Sequence, residues 1–298
     1  MPVYLPPISR RRFLQTVVAA GTTVAARPLW AEDKPADPHR LALFSDTHLW
    51  SDRHGRRNGA SPDENFTVVC DQVLACAQRP ARALISGDCA HLEGLPADYA
   101  AIAELVQPLR EAGMGLHLAL GNHDHRKNIM AAFPDPLSPP PVVDKRVSVV
   151  ETPRANWFLL DSLERTNVTP GRLGEPQLAW LAKELDARPD KPALVMAHHH
   201  PEVGIKTSGL ADTDALLNVL VPRKQVKAYF FGHTHAWKLY RHDGLHLVNL
   251  PTTAWVFNPK EPQAWVEAEL QERGIALTLH ALDPKHAAHG KTTELAWR

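Results

Sequence analysis

The sequence predicts an α/β protein: a mostly parallel sheet first, then an antiparallel one. Three observations carry this. Short apolar runs at Arg40–Ser45, Ala81–Ser86 and Gly115–Leu120 each end in a polar cluster. Segments with helical apolar spacing lie between them. After Val226–Phe231 the pattern changes to alternating runs bounded by Gly and Pro. Strand, helix and strand in succession is the rhythm of β-α-β units, whereas alternation suits sheets paired antiparallel.

Taken in order, Glu32–His39 is polar and Pro-bearing and reads as a linker, with residues 40–282 as one domain. Arg40–Ser45 is a first strand ending at Asp46-Thr47-His48. Ser51–Pro62 is a polar loop with Arg53, Arg56 and Arg57, read as solvated charges. Glu64–Gln78 spaces Phe66, Val69, Val73, Leu74 and Ala77 as a helix does. Ala81–Ser86 is a second strand, ending at Gly87-Asp88. Ala97–Glu111 is helical, and Pro108 kinks it or ends it early because it lacks an N–H. Gly115–Leu120 ends at Gly121-Asn122-His123-Asp124. Pro134–Pro141 is a rigid loop, and Val147–Glu151 with Asn156–Asp161 reads as a strand pair. Pro176–Ala187 is a helix striped by Leu178, Leu181 and Leu185, with Pro176 suited to its first turn. Ala193–Ala197 is a buried strand running into His198-His199-His200-Pro201. Leu210–Val221 is helical, and Val226–Phe231 leads to Gly232-His233-Thr234-His235. Trp237–Arg241, Leu245–Leu250, Trp265–Leu270 and Ile275–His280 are expected to form the antiparallel second sheet. Residues 283–298 have little pattern and read as a loose tail.

A chain of 298 residues with 44% apolar and 22% charged residues buries a full core. Its formal net charge of zero argues against a nucleic-acid partner. Cys70, Cys76 and Cys89 make no disulfide framework and read as buried thiols. The N-terminus is different in kind. Ser9-Arg10-Arg11-Arg12-Phe13-Leu14-Gln15 resembles the twin-arginine export motif, and an apolar run from Thr16 to Ala26 follows. That run is too short for a membrane anchor and suits a signal peptide ending within residues 1–31. Removing residues 1–26 takes away three arginines and no acids, so 33 basic residues become 30 against 33 acidic. The expectation is a periplasmic or otherwise exported protein that meets the twin-arginine machinery.

The chemistry lies in the five polar clusters. If the chain stays extended past Gly232, His233 and His235 point to one side, as do Asp46 and His48. Strand ends are where α/β proteins gather their sites. The clusters together offer carboxylates, an amide oxygen and at least four imidazoles. Mixed N/O ligands suit Zn, Mn or Fe better than Ca or Mg. Seven ligands exceed the needs of one cation, so a pair is expected, and a carboxylate such as Asp88 can bridge two.

The five motifs, D-x-H, G-D, G-N-H-D, H-x-P and G-H-x-H, stand in the order of the calcineurin-like metallophosphoesterase superfamily, which the chain resembles from about Arg40 to about Pro251. The run Gly121-Asn122-His123-Asp124-His125-Arg126 with Phe133 is most similar to the bacterial cyclic-nucleotide and glycerophosphodiester phosphodiesterases. The resemblance implies a four-layer α/β/β/α sandwich of two mixed sheets flanked by helices. It implies two transition-metal ions, one held by Asp46, His48, His235 and a bridging Asp88, the other by Asp88, Asn122, His199 and His233. His199 follows from the H-x-P spacing, with His198 and His200 as its alternatives in register. His123 would stabilise the transition state or protonate the leaving group, with Asp124 orienting it. The implied reaction is in-line attack of a metal-bound hydroxide on a small phosphoester, most simply a phosphodiester. Pyrophosphate or monoester hydrolysis at the same site, and a non-catalytic metal- or ligand-binding role, remain the other readings.

Overall fold

Strand β1 (Asp37–Phe44) opens the domain in the computed structural model, which describes residues 36–134, 139–204 and 207–298. The twin-arginine segment and the apolar run behind it lie outside the described residues. Leu41 and Leu43 point into one apolar cluster, Ala42 and Phe44 into another. A strand buried on both faces needs that continuous apolar run, and its period of two sends alternate side chains to opposite cores.

β1 pairs in parallel with β2 (Pro80–Ile85), and β2 with β3 (Gly115–Leu118). Helix α1 (Pro62–Ala75) starts where Ser61 Oγ accepts the Glu64 N–H, with Pro62 in its first turn. It buries Phe66, Val69 and Val73 against Phe44 and Trp265. The predicted break at Pro108 is real: α2 (Pro96–Leu105) ends and α3 (Gln107–Glu111) begins, with Pro108 in the first turn of α3. A short α4 (Arg126–Ala132), capped by His125 accepting from Asn128 N, follows β3.

The second sheet runs β4 (Ser148–Glu151), β5 (Asn156–Leu159), β6 (Ala193–Met196), β7 (Val226–Phe231), β9 (Leu245–Asn249), β8 (Lys238–His242). Helices α5 (Glu175–Asp186) and α6 (Thr213–Leu220) cover its outer face through Leu181, Leu185, Leu216 and Leu220. Between the two sheets lie Leu41, Leu43, Leu84, Trp157, Leu194, Met196 and Phe230. Each such side chain is worth roughly 1.5–3 kcal/mol on burial. Helices, sheet, sheet and helices make the four layers, and both sheets are mixed.

Three expectations are corrected. The four late strands do not build a separate antiparallel sheet. β8 and β9 extend the second sheet, with β9 parallel to β7, while β10 (Ala264–Leu270) and β11 (Gly274–Ala281) pair antiparallel beside β1. Alternation reports one face per strand and not which sheet the strand joins. Residues 283–298 are no loose tail either: β12 (Thr292–Ala296) pairs with β11, and the Arg298 guanidinium donates to the carbonyls of Val226, Leu220 and Arg223. The linker also ends earlier, since β1 begins at Asp37.

Candidate metal centre

The C-terminal ends of β1, β2 and β3 in one sheet meet those of β6 and β7 in the other. Their closeness has a sequence cause. A Cβ on Gly232 would overlap Ser45 Oγ and crowd Asp46, so only glycine lets the end of β7 lie against the end of β1. The His233 N–H then donates to both Asp46 oxygens, at 3.1 and 3.0 Å.

The spacing argument took the chain to stay extended past the strand ends, and it does not. Asp46, His48, Asp88, His233 and His235 all have positive φ, between 45° and 69°. The i, i+2 pairs converge because each chain turns through left-handed residues. That conformation costs about 1–2 kcal/mol per non-glycine residue. Strain of this kind persists where the surroundings impose it, and it gathers at functional sites.

Two groups result, each with ligand atoms within 4.8 Å of one another: Asp46, His48 and His235, and Asp88, His198 and His233. In the first, His48 Nε2 and His235 Nε2 face each other at 3.1 Å, and His235 Nε2 is 3.4 Å from Asp46 Oδ1. His235 Nδ1 donates to the Trp255 carbonyl at 2.5 Å, which leaves Nε2 as a lone pair aimed at the cluster. The Trp255 ring stacks on His48 at 4.3 Å. In the second, His198 Nε2 lies 3.3 Å from Asp88 Oδ2 and 3.2 Å from His233 Nδ1. Asp88 Oδ2 also faces His48, at 3.8 Å, so one carboxylate looks into both groups.

The electrostatics call for positive charge. Asp46 and Asp88 are buried, and burial alone would raise both pKa values. Neighbouring imidazoles, His235 and His198 for Asp46 and His198 and His48 for Asp88, hold both well below the carboxylate range instead. Burial disfavours a charged His198, yet the Asp88 and Asp46 carboxylates raise it to about 9. Burial pushes His48 well down and His233 down to about 4, which keeps both as neutral ligands. Asn122 Oδ1 is buried and has no hydrogen-bond partner. Its neighbour His123 donates its N–H to Asp88 Oδ1 at 2.8 Å, and an orphaned amide oxygen next in the chain to that contact fits divalent transition metals.

A family model described as calcineurin-like phosphoesterase matches residues 39–237. The chain belongs to that family. This phosphoesterase is 29% identical over 249 residues to the 3′,5′-cyclic adenosine monophosphate phosphodiesterase CpdA of Vibrio vulnificus, covering 81% of this chain and 86% of the relative. It is 28% identical over 239 residues to a 3′,5′-cyclic-nucleotide phosphodiesterase of Nostoc, covering 78% and 85%. A dimetal phosphatase from Danio rerio shares the fold, with a TM-score of 0.68 at 15% identity over 88% of this chain and 100% of that one. The family and its relatives make the chain a metal-dependent phosphoesterase.

The structure of the phosphoesterase places most of the sequence-derived residues together. Asp46, His48, Asp88, His233 and His235 sit in the two groups, and Asn122 is buried in the loop between Gly121 and His123. His199 is in neither group; His198 stands where it was expected. His199 turns the other way: its Nδ1 meets Ser162 Oγ at 2.8 Å and its ring packs over Gly171. Three consecutive histidines leave the register undetermined by spacing, and in the fold it is His198 that groups with Asp88 and His233.

The expected role of Asp124 is also corrected. Its carboxylate accepts from the backbone N–H groups of Cys89, Ala90 and Gly121 and from Tyr99 Oη. It therefore holds the loops that carry Asp88 and Asn122. His123 is oriented by Leu92 O at 3.1 Å and Asn167 Oδ1 at 2.7 Å, both meeting Nδ1. Trp255, Asn167 and Ser162 were not found by sequence reasoning. They contact the site from loops far along the chain and belong to no motif. Arg126 is bidentate on Asp161, so it braces the fold. Arg53 and Arg56 pair with Asp63 and Glu64, while Arg57 lies over the Trp255 ring at 5.0 Å.

Proposed function

We propose that this chain is an exported phosphodiesterase that uses two transition-metal ions, Fe, Mn or Zn, on a small phosphodiester of the cyclic-nucleotide class. The observation that carries it is Asp88: one buried carboxylate faces both ligand groups, with the orphaned Asn122 oxygen close by in the chain fold. Asp46, His48 and His235 would hold one cation and Asp88, Asn122, His198 and His233 the other. Two such cations supply charge neutralisation for phosphoryl oxygens and lower the pKa of a bound water. The relatives' names supply the substrate class.

The protein's own groups do the rest. Both partners of His123 Nδ1 are carbonyl oxygens, so Nδ1 is a donor and Nε2 is the atom that moves a proton. With Nδ1 so engaged, His123 can pass a proton to the departing ester oxygen only through Nε2. Buried Trp255 fixes the tautomer of His235 and shields His48 from water. Export rests on residues 9–26, which precede the described domain.

The test is a purified protein assayed on a cyclic nucleotide, bis(p-nitrophenyl) phosphate, a monoester and a nucleotide sugar, with metal content measured in parallel. Chelator-sensitive turnover of the diesters with two metals per chain is expected. Preference for the monoester or the nucleotide sugar would move the assignment to another phosphoesterase class. Replacing Arg10 and Arg11 by Lys should keep the protein in the cytoplasm; unchanged export would remove the twin-arginine reading.

A further inference from the structure

A cavity of about 470 Å³ opens beside the metal centre. That volume is in the range of small-molecule sites. His235 and His200 line its inner side. His235 belongs to the first ligand group, and the His200 ring stacks on His233 of the second at 5.6 Å and 18°. The outer side is β8, which contributes Lys238, Tyr240 and Arg241. Phe257 closes the rim.

The aromatic side chains here stand out. Among the described residues, Tyr240 and Phe257 are the exposed large aromatics, at 51% and 67%, and both line this cavity. Phe257 packs against the His235 imidazole, 4.5 Å between ring centres with the rings tilted by 31°, its one ring contact among the described residues. Two large aromatic faces held open in water next to a reaction centre serve no packing purpose in the free protein. A flat ring stacked on Phe257 would lie one stacking distance beyond His235. A nucleoside spans that distance between its base and its phosphate.

We propose that this cavity binds the nucleobase of the phosphodiester, stacked on Phe257 with Tyr240 as the far wall, and so sets the preference for nucleotide over base-free esters. The inference rests on the phosphodiesterase reading and names the part of the substrate that reading leaves open. Lys238, which faces Glu261 at 3.8 Å, and Arg241 add polar groups of both signs beside the aromatics. Stacking of one base on one aromatic ring is worth about 1–3 kcal/mol, or roughly five- to 150-fold.

Two measurements test it. First, adenosine is titrated into wild type and Phe257→Ala and followed by saturation-transfer NMR, which needs no catalysis. Saturable binding that weakens about tenfold in Phe257→Ala is expected; equal or absent binding in both overturns the cavity assignment. Second, kcat/KM is compared for 3′,5′-cyclic AMP and for base-free ribose 3′,5′-cyclic phosphate. Wild type should prefer the nucleotide at least about tenfold. Phe257→Ala and Tyr240→Ala should collapse that ratio by raising KM for the nucleotide more than for the base-free ester. A ratio unchanged by either variant overturns the proposal. Phe257-dependent adenosine binding in a protein that hydrolyses neither ester would keep the cavity and sink the phosphodiesterase reading.

Discussion

At the residue scale, the site separates ligands from the groups that hold them. Asp88→Ala or Asn122→Ala should lower diester turnover by at least about a hundredfold and reduce bound metal, as elemental analysis would show. His198 and His199 give the sharper comparison. His198→Ala should lose about one metal equivalent per chain, while His199→Asn keeps both and loses at most about 10–100-fold in rate. The reverse result would restore the H-x-P register. A second residue-scale prediction concerns pH. Burial, with the Arg82 and Arg146 cations adding to it, pushes the His117 imidazole down to about 4. Its folded pKa is below the unfolded value near 6.5, so the unfolded chain binds the extra proton. The stability tied to neutral His117 is complete above about pH 6.5 and is lost as pH falls toward 4. After screening, the effect is on the order of 2 kcal/mol. His117→Gln should flatten urea midpoints across that window relative to wild type. A midpoint profile parallel to wild type would refute it.

At the element scale, strand ends decide the site. Gly232 is the point where β7 lies against β1, and a methyl group there meets Ser45 Oγ. Gly232→Ala should cost about 1–3 kcal/mol by overpacking, read from urea unfolding, and should lower metal affinity because Asp46 is displaced. Unchanged stability and metal content would mean the strand ends have room. β12 is the other element with a consequence. It covers the edge of β11, and Arg298 ties the chain end to Val226 at the start of β7. Deleting residues 290–298 should lower stability and promote aggregation through the uncovered edge of β11, measurable by light scattering. The strands that bear motifs were legible, because each apolar run is short and ends in a polar cluster. β12 was not, because Thr292–Ala296 is a polar edge strand whose pairing, not its pattern, makes it a strand.

At the scale of the whole molecule, the metal centre sits across two sheets. Asp46, His48, Asp88 and Asn122 come from the sheet of β1, and His198, His233 and His235 from the sheet of β7. Cations held there would tie the sheets together, so ligation would add to folding stability by mass action. Removing metal with a chelator should lower the melting temperature by on the order of 5 °C, and restoring Mn or Zn should recover it. An unchanged melting curve would mean the inter-sheet core of Trp157, Met196 and Phe230 supports the site unaided.

The amino-acid order by itself determined the fold class, the strands that end in chemistry and the candidate ligands Asp46, His48, Asp88, His233 and His235 that the fold gathers into two groups. These follow from local rules, since period, apolar run length and ligand type are written within a few residues of one another. Only the tertiary structure decided that His198 and not His199 stands beside Asp88 and His233, that Asp124 holds backbone instead of His123, and that Asp46 and His235 converge through left-handed turns. It also brought Trp255 and Phe257 to the site. Those outcomes depend on how close two sheets approach and on which way each chain turns after its last strand residue. Both are set by contacts between segments far apart in the chain.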